Sequence, residues 1–248
     1  MTVPKEQPDG ATIWTIHGIV PSDAPHPPDA PPHHTMVVGE LKALVTDRPA
    51  PQSTDVPDLD TESELVLIHN RLLVAYGAVS DVVPVRYGAC LSAKDEVIAR
   101  VAEQADVHHQ VLHRVAGAQE YSVRIEGVMP HSQPTETPAV PTSGRGYLAS
   151  RRTARDARDR RAEERNSFLR QAASRLAACA RECSASAPNP DRLLDLNLLV
   201  ARTETAAFLR AAEQIYTDAA ALDLALKVSG PWPPYTFAGP ITVERATS

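Results

Sequence analysis

The sequence predicts an α+β protein of two domains, and three observations carry that reading. Both halves of the 248-residue chain mix short alternating apolar runs with stripes of helical period. The second half orders them as strand, helix, strand, helix, strand. Between a helical stripe and the next alternating run, Ala116–Gln119 marks a break. The expected division is an N-terminal α+β domain at 1–117 and a C-terminal α+β domain at 118–248.

The first expected strand is Thr12–Val20, with Trp14, Ile16 and Val20 on one face. Pro21–His34 follows, with six prolines and three histidines, and cannot form a ladder. Met36–Val45 reads as extended or mixed structure, and Pro49–Pro57 as a second proline-rich connector. A helix is expected over Thr61–Gly77, where Leu65, Ile68, Leu72 and Tyr76 form an apolar stripe. Asp60, Glu62 and Glu64 suit the positive end of its dipole. Asp81–Arg86 is a short β-type run. A second helix is expected over Ser92–Ala116, with Ile98, Val101, Ala105, His108, Leu112 and Val115 as its seam.

The second half opens on a strand at Glu120–Val128, with Tyr121, Val123 and Ile125 on one face and Arg124 and Glu126 on the other. Pro130–Ser143 is a loop with four prolines. A long helix is expected over about 146–183, stopped by Pro188 and Pro190. Leu194–Val200 alternates as a strand. Thr203 is positioned to cap a helix to Ala219, whose stripe is Phe208, Ala211, Ile215 and Ala219. Leu222, Leu224, Leu226 and Val228 alternate again. The chain then enters Pro231-Trp232-Pro233-Pro234-Tyr235-Thr236-Phe237, which places three aromatics within six residues although aromatics are 4% of the chain. Proline fixes φ and removes donors, so this string is expected to leave the strand and act as a stiff tail. It reads either as a lid packed on the core or as a presented recognition surface.

Composition narrows the functional classes. No apolar run reaches membrane-span length, and the N-terminus lacks a charged-then-apolar leader, so a cytoplasmic protein without a lipid membrane is expected. A net charge of −6 argues against general nucleic-acid binding. Cys90, Cys179 and Cys183 are an odd set without zinc-type spacing, as expected in a reducing compartment. Cys179 and Cys183 fall on the stripe of the long helix and read as small buried hydrophobes. His109 and His113 stand four apart, but no third ligand accompanies them, and Gln110 stands where a zinc protease has its glutamate. His26, His33 and His34 are expected to be solvated. No phosphate loop or nucleophile elbow occurs, so no catalytic, cofactor-binding or metal-binding residue is assigned, and an enzyme is not expected.

The long helix carries the main charge feature: eight arginines against four acids between Arg145 and Arg165. Such a run is either a solvated helix laced with ion pairs or an arm for an acidic partner.

Four segments, in order, resemble the gas vesicle protein F/L family: His69-Asn70-Arg71; Asp81-Val82-Val83-Pro84-Val85-Arg86-Tyr87-Gly88; Gly144-Arg145-Gly146-Tyr147-Leu148-Ala149-Ser150-Arg151-Arg152; and Ser229-Gly230-Pro231-Trp232-Pro233-Pro234-Tyr235-Thr236-Phe237. Ile16-His17-Gly18-Ile19-Val20 is similar to the family's opening strand. The resemblance implies that the C-terminal domain is a modified ferredoxin-like fold with a long helical excursion containing the Arg-rich helix. It implies a minor structural or assembly protein of gas vesicles, without catalysis. Its expected partners are the hydrophobic shell protein and other accessory proteins. The candidate partner-binding residues are Trp232, Tyr235 and Phe237 for an apolar contact and Arg151, Arg152, Arg155 and Arg158 for a charged one. The alternative is a cytosolic ligand- or RNA-binding module, because a ferredoxin-like scaffold hosts many functions.

Overall fold

The computed structural model describes residues 12–50, 59–128, 144–187, 189 and 192–239. Residues 51–57 of the expected Pro49–Pro57 connector and the expected Pro130–Ser143 loop lie outside them. The described residues form two compact units, one within Met1–Glu120 and Pro231–Ser248, the other within Tyr121–Gly230. The expected division keeps the tail with the second half of the chain, whereas its contacts group Pro231 onward with the first unit.

In the first unit, β1 (Thr12–Pro21) pairs antiparallel with β3 (Leu41–Pro49), and β3 with β2 (His34–Val38). Gly39, at φ 61°, makes the turn between β2 and β3. The β1–β3 register slips between Ile16 and Gly18, so His17 is the extra residue of a bulge. A bulge re-aims its side chain, and here it turns a histidine into the interior. Helix α1 (Leu59–Val79) lays Leu72, Leu73 and Tyr76 against Val20, Leu44 and Val82. Gly18 permits this approach: a Cβ there would sit 2.5 Å from Leu73 Cδ2 and 3.1 Å from the Val83 carbonyl. Strands β4 (Val83–Pro84) and β5 (Cys90–Leu91) complete the sheet against Gly18–Ile19 and Trp14–Thr15 of β1.

The single helix expected over 92–116 is two. Helices α2 (Lys94–Glu103) and α3 (Ala105–Val115) break at Gln104, at φ −102° and ψ 12°. The buried face differs from the expected seam by one position at two places: Val97, Val101, His108, Val111 and Val115 are buried, while Ile98 is exposed and Leu112 half-buried.

The second sheet contains β6 (Ala118–Gly127), β7 (Glu182–Ala185), β8 (Leu194–Ala201) and β9 (Leu224–Trp232) in the order β7-β8-β6-β9. Helix α4 (Gly144–Ala177) links β6 to β7, and α5 (Thr205–Ala220) links β8 to β9. This β-α-β-β-α-β sequence with β6 and β8 central is the ferredoxin-like arrangement. Its core joins Tyr121, Val123 and Ile125 to Leu196, Leu198 and Val200, closed by Leu176, Phe208, Ala212 and Ile215. Tyr121 and Phe208 pack with tilted rings, centroids 4.8 Å apart.

Four expectations are corrected here. The long helix ends at Ala177, not near 183. Its last amides fall back on carbonyls three residues earlier, as Cys179 to Leu176 and Ala180 to Ala177, and the Arg181 N–H then joins Leu199. Beyond Leu176 the apolar stripe has no further large side chain to bury, and backbone pairing with β8 satisfies the chain instead. Cys183 is therefore an exposed residue of β7, not a buried helical one. Thr203 lies in a short 3-10 turn (Arg202–Glu204), and α5 begins without a side-chain cap. Finally, β9 continues through Pro231 and Trp232, so the tail leaves the sheet only at Pro233. A strand's end tolerates a missing donor. The short helix α6 (Tyr235–Ala238) follows.

Candidate functional site

The first unit holds an interior chain of polar side chains. His17, on the β1 bulge, brings Nδ1 to 3.0 Å from Nδ1 of His69 on α1. His17 Nε2 is 2.9 Å from Thr46 Oγ1, and His69 Nε2 is 3.0 Å from the Tyr235 hydroxyl. Both imidazoles are buried. Burial, with His69 and then His33 as nearby like charges, pushes His17 down to about 3, and burial pushes His69 down to about 4. Both rings are thus neutral near pH 7. Each then has one N–H, and the chain has two fully satisfied polarities. In one, Thr46 donates to His17, His17 to His69, and His69 to Tyr235. In the other, every donor is reversed. The Tyr235 ring is 39% exposed, but its hydroxyl turns inward onto His69, and burial pushes it up to about 12.

A second lock holds the same tail. The buried carboxylate of Glu120, on β6, accepts the Thr236 amide at 2.8 Å and the Thr236 hydroxyl at 2.6 Å. Burial raises the Glu120 pKa above its ordinary value, and the two Thr236 bonds oppose that rise. Tyr87 stands edge-on to His69, centroids 5.5 Å apart, and donates to Glu62 at 3.1 Å. Burial, followed by the Glu62 contact, pushes Tyr87 up to about 12. Between these groups opens a pocket of about 570 Å³, lined by Val66, His69, Asn70, Pro84, Arg86, Tyr87, Tyr235, Thr236 and Gly239.

Of the residues expected to bind a partner, Trp232 and Tyr235 are each 39% exposed, whereas Phe237 is 3% exposed. Phe237 is thus a buried anchor of the tail, able to brace a contact surface. Arg151, Arg152, Arg155 and Arg158 are all exposed on α4, in the other unit. Arg155 reaches Asp159 only at 3.9 Å, and Arg151 lies 5.8 Å from the Tyr147 ring centre. The sequence reading does not assign roles to His17, His69, Tyr87, Glu120 or Thr236. Four of these sit inside the quoted segments. Glu120 has a weaker signal, an acid on the far side of the Tyr121–Val123–Ile125 alternation.

The proline-histidine loop is also more engaged than expected. His33 Nδ1 donates to the Pro31 carbonyl at 2.8 Å, which leaves Nε2 to accept the Tyr76 hydroxyl at 2.9 Å. His26 stacks on His33, centroids 5.1 Å apart, and His34 meets Asp47 at 2.9 Å. His109 and His113 are exposed, and the described residues include no group of three or more His, Cys, Asp or Glu placed to hold a metal.

Fold and site together define a class: an α+β protein with a ferredoxin-like sheet, whose aromatic tail is locked in the first unit by a His–His–Tyr chain and a buried glutamate. A family model described as gas vesicle synthesis protein GvpL/GvpF matches residues 15–239, and the chain belongs to that family. It is 27% identical to gas vesicle protein L of Streptomyces sp. (strain CB03234), over 92% of this chain and 91% of that one. The crystal structure of the gas vesicle protein GvpF from Anabaena sp. PCC7120 superposes with a TM-score of 0.65 at 16% identity, covering 92% of this chain and 96% of that one. GvpF from Microcystis aeruginosa gives 0.63 at 16% identity, covering 91% and 98%. The two structural likenesses bear on the fold.

Proposed function

We propose that this protein is a minor structural or accessory component required for gas vesicle assembly, binding the hydrophobic shell protein and other accessory proteins in the cytoplasm. The observation that carries the reading is family membership across residues 15–239. No described helix is long and apolar enough to cross a membrane. The proposed contact has two parts, each chosen by physical character. Trp232 and Tyr235 offer aromatic surface, which supplies much of the energy at protein interfaces. The arginines of α4 offer multi-donor cations that orient an acidic surface. Phe237 contributes by bracing the tail from below.

Deleting the gene in its native host tests the assembly role. The expected result is loss of buoyancy and of pressure-sensitive turbidity, restored by a plasmid copy. Normal vesicle yield in the deletion strain would overturn it.

A further inference from the structure

The pocket beside Tyr235 shares that residue with the proposed partner contact but is not otherwise explained by it, and three of the quoted sequence segments converge on it. We propose that it binds a monocarboxylate with an apolar body. Its volume of about 570 Å³ is that of a small-molecule site. Val66, Pro84 and the rings of Tyr87 and Tyr235 supply apolar wall, and Arg86 supplies one guanidinium. No carboxylate lines the pocket among the described residues. The acids that reach its lining are committed: Glu62 accepts the Tyr87 hydroxyl and Glu120 accepts both Thr236 donors. Arg86 is thus the one permanently charged side chain in the lining among the described residues. A guanidinium pairs a carboxylate through two parallel hydrogen bonds. A phosphate dianion would need a second cation, and His69 beside it is neutral near pH 7, held down to about 4 by burial.

The shared chemistry, an apolar group ending in a carboxylate, occurs both in free organic acids and at the C-terminus of a peptide with an apolar last residue. Calorimetric titration of the full chain with 4-phenylbutyrate and its neutral amide tests the first source. Acetyl-Ala-Leu-Phe with a free or amidated terminus tests the second. At least one acid should bind saturably, and its amide about tenfold or more weakly. Arg86→Gln should reduce the acid to the level of the amide, while Arg210→Gln, at an exposed position of α5, should leave it unchanged. Val66→Trp, which fills the pocket while keeping Arg86, should abolish binding. Binding by the free acid alone assigns a small-molecule ligand, and binding by the peptide acid alone a chain terminus. Equal binding of acid and amide, no saturable binding by either acid, or full binding by folded Arg86→Gln would each overturn the proposal. A negative result here would leave the vesicle-assembly reading standing, because that reading rests on family membership and is tested separately by gene deletion.

Discussion

The Tyr235 hydroxyl ties the last described segment of the chain to a histidine 166 positions earlier. Its loss should therefore be felt as instability even though its ring is partly open to solvent. Tyr235→Phe leaves His69 Nε2 buried without its partner, a cost of about 1–3 kcal/mol. Urea unfolding followed by circular dichroism should show that loss, and an unchanged midpoint would mean that the hydroxyl contact contributes nothing. The sequence pointed to Tyr235 by its setting among prolines, but not to its partner. His17 was hidden for a physical reason. Strict alternation from Ile16 puts it on the opposite face from Ile16, and only the bulge at that residue, invisible in a period-two pattern, turns it onto His69.

Helix α4 behaves as two halves. Its Arg-rich first part is exposed, while Phe168, Ala172 and Leu176 pack on the second core. Stability and binding should separate along it. Leu176→Ala removes a fully buried side chain and should cost about 2–5 kcal/mol. Replacing Arg151, Arg152, Arg155 and Arg158 together by glutamine should change stability by less than about 1 kcal/mol, since isolated exposed substitutions fall within about 0.5 kcal/mol. Thermal melts of both variants check the contrast, and comparable destabilisation by the two would refute it. The helices and long strands were legible because their stripes are long. β7 was not. Glu182-Cys183-Ser184-Ala185 has no apolar alternation, and its strand exists because β8 offers an unpaired edge. The break at Gln104 was equally silent, because one stripe phase fits both α2 and α3 with a small slip.

Across the whole molecule, every described histidine lies in the first unit, and three of them are buried. His108 joins His17 and His69. Burial, with His109 as a lesser cause, holds it at about 4, and its Nδ1 has no protein partner. The unfolded chain protonates these groups near 6.5, whereas the folded chain resists until about 4 for His69 and His108 and about 3 for His17. The unfolded state thus binds more protons between those values. Their contribution to stability is complete above pH 6.5 and is lost as the pH falls toward 4 and then 3, by about 1.4 kcal/mol per pH unit for each histidine. Glu120 works in the opposite direction, since its raised pKa relieves its burial penalty in acid. Hydrogen exchange between pH 6.5 and 4 should show protection failing first in β1 and α1, and failure beginning in β8 and α5 would contradict the assignment. The α+β class was legible at this scale from the patterns, whereas the ferredoxin-like second sheet was expected only from the family resemblance. The return of the tail to the first unit was not, because nothing in a local pattern records which unit a rigid segment joins.

The central proposal is that this chain binds the gas vesicle shell protein through an exposed aromatic on its tail and the arginines of α4. The most direct measurement is co-purification of the shell protein with the wild-type chain, Trp232→Ala, and the four-arginine glutamine variant, each with its melting temperature recorded. Both variants should stay folded and retain far less shell protein than wild type. Folded variants that carry as much shell protein as wild type would contradict the account.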